Sequence, residues 1–440
     1  MNWRDPLDSA LPAPEALGQA AGDLDLRAEA ACASPVPARP LLPSAAVVGD
    51  APRPIVAPAR RLRLVPPLST PRHGLAGLPP EQDLDRSLLA MPPFLRHLHR
   101  LTAGFQRQGE AIPFIHAHAR PLRAGGGRPL LFEPPAGLAD SEAASLGETA
   151  RAALLGLQVY EWTRAEPALS LARQWLRAIT SLQRPDGTFA QPGEDIPRAG
   201  GPAGSVASFA NALWAAQARW ALAMAWRVTR DARYLHCFHR GHMEPTGNLQ
   251  ALALQALALM ELYQAAPDPA LRARICDRCA RICSSGDTYF PDLAGQDAVR
   301  PGGYYQLLAV ARAGRLFSRL DFLRACQRTV TSLVEPILDG GFFHLYPRIP
   351  DPQCASDIAP LALGLEELHQ SLRRSAYRAL ALRCIDWLYG NNPAGSVVYD
   401  RNLGCCADAV QEGEVSRSCG ADAAIAAGFM ELAHCRLCQR

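Results

Sequence analysis

One turn signal returns along the chain at a fixed interval, each time after an apolar run with helical spacing. Asp287, Asp339 and Asn391 succeed one another at 52 residues, and Asp186 stands 101 residues before Asp287, close to twice that interval. The missing midpoint falls between His236 and Gly247, where the pattern also breaks. The turns read Pro185-Asp186-Gly187-Thr188-Phe189, Ser285-Gly286-Asp287-Thr288-Tyr289-Phe290, Leu338-Asp339-Gly340-Gly341-Phe342-Phe343 and Gly390-Asn391-Asn392-Pro393. Small residues that tolerate unusual φ, set beside aromatics, stop a helix and begin a short extended piece. A repeated two-helix unit cannot bury its apolar face alone, so the units must close into a toroid or stack into a solenoid. Function would then sit on the long loops at one end.

The spacing predicts helix pairs at about 142–162 with 167–183, 205–228 with 230–239, 247–265 with 268–284, 303–317 with 319–337, and 356–372 with 374–389, then a lone helix at 419–436. Within them apolar residues recur at helical steps, as in Leu249, Leu252, Leu254, Leu257 and Leu259. The segment from Asp83 to Leu101, interrupted by Pro92-Pro93, can supply the twelfth helix and complete six hairpins. Residues 1–80 hold fifteen of the 38 prolines and no sustained period, which predicts a disordered tail before one domain over 81–440. The Gly/Pro-rich stretch 110–135 reads as an irregular wrap with short strands.

Composition removes whole classes of chemistry. All 45 positive charges are Arg, because the sequence contains no Lys. That excludes a Schiff-base lysine and a Walker-type phosphate loop. With a net charge of +3 and no basic stripe, nucleic acid is not an expected partner. Thirteen Cys, several placed mid-helix, no leader-like start and no run of membrane-span length point to a cytoplasmic protein with reduced thiols.

The C-terminal block runs Trp387-Leu388-Tyr389-Gly390-Asn391-Asn392-Pro393-Ala394-Gly395, then Val398-Tyr399-Asp400, Gly404-Cys405-Cys406-Ala407-Asp408 and Gly420-Ala421-Asp422. Together with Gln183-Arg184-Pro185-Asp186-Gly187, Asn211-Ala212-Leu213-Trp214-Ala215 and Asp351-Pro352-Gln353 leading to Asp357, it resembles the six-hairpin, (α/α)6-toroid carbohydrate-active proteins. The likeness is to a bacterial group found beside or fused to glycosyltransferases, and it covers roughly residues 145–435. It implies an all-α (α/α)6 toroid with short β pieces in the rim loops, a glycan as substrate and a glycosyltransferase as a partner. The chain departs from that group where Ser205, Ser208 and Phe209 stand in place of an acidic residue and a His. It departs again where Ser416-Arg417-Ser418-Cys419 replaces an Asn-rich lead.

Sugar hydrolysis needs two facing carboxyl groups, one protonated and one ionised. The candidates are Asp357, Asp408, Asp422 and Asp186, with Asp400 behind them. Competing roles are ordinary ones: Asp357 and Asp422 open helices, where a carboxylate caps free N–H groups, and Asp186 before Gly187 suits a turn. Sugar rings stack on aromatic faces, and Phe343, His344, Tyr346, Tyr304 and Trp214 are the candidate binding residues, each of which could equally fill the core. Tyr304 or His344 could also serve as the base of an elimination. His236, His239 and His242 drift around a helix, and Cys276, Cys279, Cys283, Cys435 and Cys438 lie within predicted helices, so no metal and no cofactor are expected.

Three functions remain open. One is a carbohydrate-active protein, glycoside hydrolase-like if an enzyme, with lyase or epimerase chemistry as variants. Another is a sugar-binding or scaffold toroid without catalysis, serving a glycosyltransferase. The third is an isoprenoid cyclase-like toroid, suggested by Gln183 to Phe189.

Overall fold

The computed structural model describes residues 91–107, 110–115, 120–121, 132–133, 145–190, 205–241, 246–292, 304–340, 352–411 and 413–439. The Pro-rich tail lies outside them. The helices are α1 (Pro93–Arg100), α2 (Leu146–Thr163), α3 (Glu166–Leu182), α4 (Ser205–Thr229), α5 (Ala232–Arg240), α6 (Leu249–Ala265), α7 (Pro269–Cys283), α8 (Gln306–Leu316), α9 (Leu320–Thr329), α10 (Glu335–Asp339), α11 (Ala355–Leu372), α12 (Ser375–Ile385) and α13 (Ala421–Cys438). A π turn at Val330–Val334 joins α9 to α10, which together form one outer element. The predicted pairs therefore stand, with ends shifted by a few residues.

Two kinds of helix make the pairs. Every residue of α6 from Leu249 to Leu262 is buried, as expected of a helix apolar all round. Its partner α7 buries only Ile275, Arg278, Cys279 and Ile282, a narrow stripe, and starts with Asp268 accepting a hydrogen bond from Ala270 N at 3.0 Å ahead of Pro269. The inner helices α2, α4, α6, α8, α11 and α13 each pack on the next, and α13 returns to α2, so the array is a closed ring and not a solenoid. The outer helices α3, α5, α7, α9 and α12 each pack on their own inner helix. The sixth outer helix is α1, which packs on α13 as the sequence predicts. Pro93 opens it from the first turn, where no amide hydrogen is needed, so Pro92-Pro93 starts a short helix instead of kinking a long one.

Short links join each inner helix to its outer partner, and long ones lead to the next inner helix. Arg164, Arg230, Ser318 and Arg373, with φ of 58°, 59°, 53° and 53°, sit in the left-handed region at four of the short links. The same local geometry thus ends α2, α4, α8 and α11. All the long segments precede inner-helix N-termini, which puts them at one rim. Small antiparallel ladders lie in them: β1 (Thr102–Arg107) with β2 (Glu110–Ile115), β3 (Arg120–Pro121) with β4 (Phe132–Glu133), β5 (Tyr399–Asp400) with β6 (Cys405–Cys406), and β7 (Val410–Gln411) with β8 (Glu414–Val415).

At the opposite end, acid and base alternate around the ring. Arg227 of α4 binds Glu161 of α2 at 2.5 and 2.7 Å and also pairs with Glu261 of α6. Arg312 of α8 reaches Glu261 at 3.5 Å and Glu367 of α11 at 3.3 Å, and Arg315 holds Glu367 at 2.6 Å. Arg436 of α13 holds Glu366 of α11 at 2.6 and 2.7 Å. Burial alone would raise the Glu261 and Glu367 carboxyls, but the facing guanidinium groups reverse this and leave both below the ordinary carboxylate value. Among the described residues, no helix is long and apolar enough to cross a membrane.

Candidate functional site

The rim site begins at α2. Ser145 accepts a hydrogen bond from Glu148 N at 3.5 Å, so a Ser-x-x-Glu start places Glu148 in the first helical turn. Arg151, one turn on, donates to Glu148 Oε1 at 3.1 Å and pairs with Asp422 in the first turn of α13. Tyr305 immediately precedes α8; burial raises its hydroxyl, and the Arg151 charge opposes that rise. Arg151 thus ties the first inner helix to the last at the rim.

The two carboxyls held by Arg151 differ in surroundings. Burial lifts Glu148 above its ordinary value; Arg151 pulls it down, Asp422 pushes it up, and the net direction is upward. Asp422 keeps 37% of its side-chain surface open, against 17% for Glu148. Burial disfavours the Arg151 charge, but Asp422 and Glu148 more than offset this and hold it protonated.

The other nominated acids gather beside this group. Asp357 accepts from Cys354 N at 3.3 Å in a capping box at the start of α11. Asp408 accepts from Gly420 N at 2.5 Å while its own amide donates to Ser418 O at 2.9 Å, which latches its loop to the start of α13. Gln353 and Val410 exchange two backbone hydrogen bonds of 2.8 Å, stitching that loop to the lead of α11. The Cys354 thiol is pushed up to about 12 by burial and then by Asp357, Asp422 and Asp408. Three acids from separate segments thus surround one thiol, and each of Asp357 and Asp408 also performs a structural task.

Trp214 joins the site through a glycine. A Cβ on Gly147 would lie 2.7 Å from Trp214 Cδ1 and 2.9 Å from Gln217 Oε1, so only glycine lets α4 bring these groups against the start of α2. Gln217 Oε1 is buried and has no hydrogen-bond partner among the described residues.

The remaining candidates are placed differently. Asp186 is exposed and accepts from Thr188 N at 2.9 Å and Thr188 Oγ1 at 2.7 Å, which is turn chemistry, and it is not among the charges acting on Cys354. Tyr304 is buried in the wall with its hydroxyl donating to Phe290 O at 2.8 Å; its neighbour Tyr305 reaches the site and packs edge-on against Trp220. Asp400 accepts from Asn402 N at 2.8 Å and Leu403 N at 3.1 Å within its own turn and lines a cavity of about 550 Å³ with Tyr399 and Arg401. Phe343, His344 and Tyr346 lie outside the described residues. Among those described, no group of three or more His, Cys, Asp or Glu is placed to hold a metal ion.

Glu148 and Arg151 were not singled out from the sequence. The available signal was the Ser145-x-x-Glu148 box followed by Arg151, which with Glu148 is the only charge in α2 before Glu161.

No family model matches the chain, and no curated protein does. Solved structures do. A sugar epimerase from a ruminal bacterium superposes with a TM-score of 0.53 at 13% identity, covering 79% of this chain and 97% of that one. An inactive variant of an alpha-1,6-mannanase from Salegentibacter sp. HEL1_6, in complex with alpha-1,6-mannotriose, gives 0.53 at 11% identity, with 80% and 99% covered. An unsaturated glucuronyl hydrolase specific for heparin gives 0.50 at 12% identity, with 82% and 99% covered. The glycosyltransferase association rests on sequence motifs alone. The closed ring of hairpins and these neighbours agree: by fold, the chain is a six-hairpin (α/α)6 toroid.

Proposed function

We propose that the chain is a carbohydrate-active protein that binds a glycan at the rim and acts on it through Glu148 and Asp422. The carrying observation is the pair itself: one carboxyl lifted by burial, the other ion-paired and more open, both on one guanidinium. A carboxyl that holds its proton more firmly than usual can donate it to a leaving sugar oxygen, while an ionised partner can activate water or attack. In this reading Arg151 positions both, Trp214 offers a ring face, Gln217 Oε1 accepts a sugar hydroxyl, and Asp357 and Asp408 orient the substrate. Neighbours of the same fold include a glucuronyl hydrolase specific for heparin and a sugar epimerase, which supports keeping hydrolysis and epimerisation, with elimination beside them, within this reading.

A specific feature favours a second reading, sugar binding without turnover. Arg151 holds both carboxyls at once, which neutralises the pair that hydrolysis would use. A scaffold serving a glycosyltransferase would need only this binding. Isoprenoid cyclisation is not carried forward, because the described mouth is set with Glu148, Arg151 and Asp422 where a cyclase needs dry aromatic walls.

The test is incubation of the purified chain with neutral and uronic-acid oligosaccharides, following new reducing ends, unsaturated products and epimers, with calorimetry for binding. Turnover that disappears in Asp422→Asn supports the enzyme. Binding without turnover supports the scaffold, and neither activity with any glycan class sinks both.

A further inference from the structure

The cavity that Asp400 lines rests on three stretches of backbone. Tyr389 bridges Val397, Val398 N donates to Leu388 O at 3.1 Å, and Ala407 N donates to Val398 O at 2.8 Å, so the lead into β5 is held on both sides. Asn392 fixes the preceding turn, donating to Trp387 O at 2.8 Å and Ser396 O at 2.7 Å and accepting from Ala394 N at 3.1 Å. The cavity of about 550 Å³ is therefore built on a braced frame, and its size falls within the roughly 300–1,000 Å³ of small-molecule sites. It is displaced from the carboxyl pair at the rim. Arg401 in its wall reaches Glu431 at 3.4 Å, and Glu431 stands nine residues after Asp422 on α13. That interval is about two and a half turns, so the two carboxylates leave the helix on opposite sides, about 14 Å apart along its axis.

The polar groups in the wall are positioned and still have capacity to bind. Asp400 Oδ1 accepts from Asn402 N and Leu403 N, which fixes the carboxylate. Among the described residues, neither Asp400 Oδ2 nor the Asn402 side chain has a hydrogen-bond partner. Arg401 donates from Nε to Tyr389 Oη at 2.8 Å and from Nη2 to Glu431, with its guanidinium 4.3 Å from the Tyr389 ring centroid. Tyr389 in turn donates to Glu431. A guanidinium carries five N–H groups, so Arg401 keeps donors to spare on a side chain that is 56% open. Val397, Ala407 and Val415 add apolar surface between these groups.

A vicinal diol matches this set. Each hydroxyl donates to a carboxylate or amide oxygen while its own oxygen accepts from a guanidinium or amide N–H, and the C–H face of the ring covers the valines. An anion fits poorly, because Glu431 already answers the Arg401 charge and Asp400 adds a negative one. We propose that this cavity is a second binding site, for a neutral mono- or disaccharide, separate from the Glu148–Asp422 pair. It goes beyond the rim reading and needs no turnover there.

The test titrates the full-length chain by calorimetry with cellobiose, maltose and mannobiose, using glucuronate as the anionic probe, and soaks crystals with the tightest binder. The expected result is a neutral disaccharide in the cavity. Asp400→Asn and Asn402→Ala should each weaken it about tenfold or more, the loss of one well-placed hydrogen bond, whereas Asp422→Asn leaves it unchanged. Asp400→Asn keeps the oxygen that its turn needs, and the Asn402 side chain holds nothing else in place, so both variants should melt like wild type. A sugar bound only at the mouth, lost in Asp422→Asn and indifferent to both cavity variants, overturns the proposal while the rim reading stands. No binding of the three disaccharides, or tighter binding of glucuronate, overturns it as well. Cavity binding in a chain that turns over no glycan upholds it although the rim chemistry fails.

Discussion

Arg151 and Asp422 stand 271 positions apart and form the ion pair that joins the first inner helix to the last at the rim of the ring. The same guanidinium holds Glu148, so a single cation sets the electrostatics of the two carboxyls proposed to act on a sugar. Packing of α13 on α2 closes the ring, and the pair turns that closure into a site.

Removing the charge of Asp422 separates chemistry from folding. Asp422→Asn should lower turnover of a glycan substrate about a hundredfold or more, the usual worth of a positioned acid–base group. Thermal melts should show a loss of only about 1 kcal/mol, because Asp422 is partly open and Arg151 keeps Glu148. Unchanged steady-state rates in this variant would exclude Asp422 from the reaction.

The pH profile reports on Glu148. Its carboxyl titrates above the ordinary value, so the proton it donates is present at low pH and lost as pH rises through that raised value. Activity should decline on the alkaline side accordingly, and the decline should be missing from the residual activity of Glu148→Gln. An unchanged alkaline limb in that variant assigns it to another group.

At the end opposite the rim, a neutral substitution removes one carboxylate from a shared network in which Arg227 keeps Glu161 and Arg312 keeps a second carboxylate. Glu261→Gln and Glu367→Gln should each cost about 1–3 kcal/mol in urea unfolding. Both carboxyls titrate below the ordinary value, so their stabilisation is present above that value and lost as pH falls through the depressed one. Acid unfolding followed by circular dichroism should therefore begin at higher pH in wild type than in a variant with both carboxyls replaced, once the overall loss of stability is normalised.

Two glycines offer a packing test. A Cβ on Gly428 of α13 would lie 2.6 Å from Leu155 Cδ2 and 2.9 Å from Phe94 Cδ2, whereas one on Gly247 would meet nothing within 4 Å. Gly428→Ala should destabilise by about 1–3 kcal/mol, the common cost of overpacking. Gly247→Ala should be close to neutral, and paired melting curves decide it.

Much of the architecture was legible in the chain because its signals are local. The turns at Asp186, Asp287, Asp339 and Asn391 and the buried run from Leu249 to Leu262 each depend on neighbours within a few residues, so the periodicity marked the hairpins and their number. The gathering of Asp357, Asp408 and Asp422 could be nominated from their helix starts and rim loop, although their meeting at Cys354 could not be derived. Asp186 looked equivalent to them and is held by its own turn through Thr188.

Sequence alone determined which segments are helical, which helices are buried all round, and that they come as repeated pairs, because propensity, capping and apolar spacing act over a turn or two. Tertiary structure decided that the pairs close into a ring and that Arg151 of the first inner helix meets Asp422 of the last. Those contacts depend on where the last helix lands on the first, a distance fixed by the summed packing angles of all six hairpins and by no single stretch of residues.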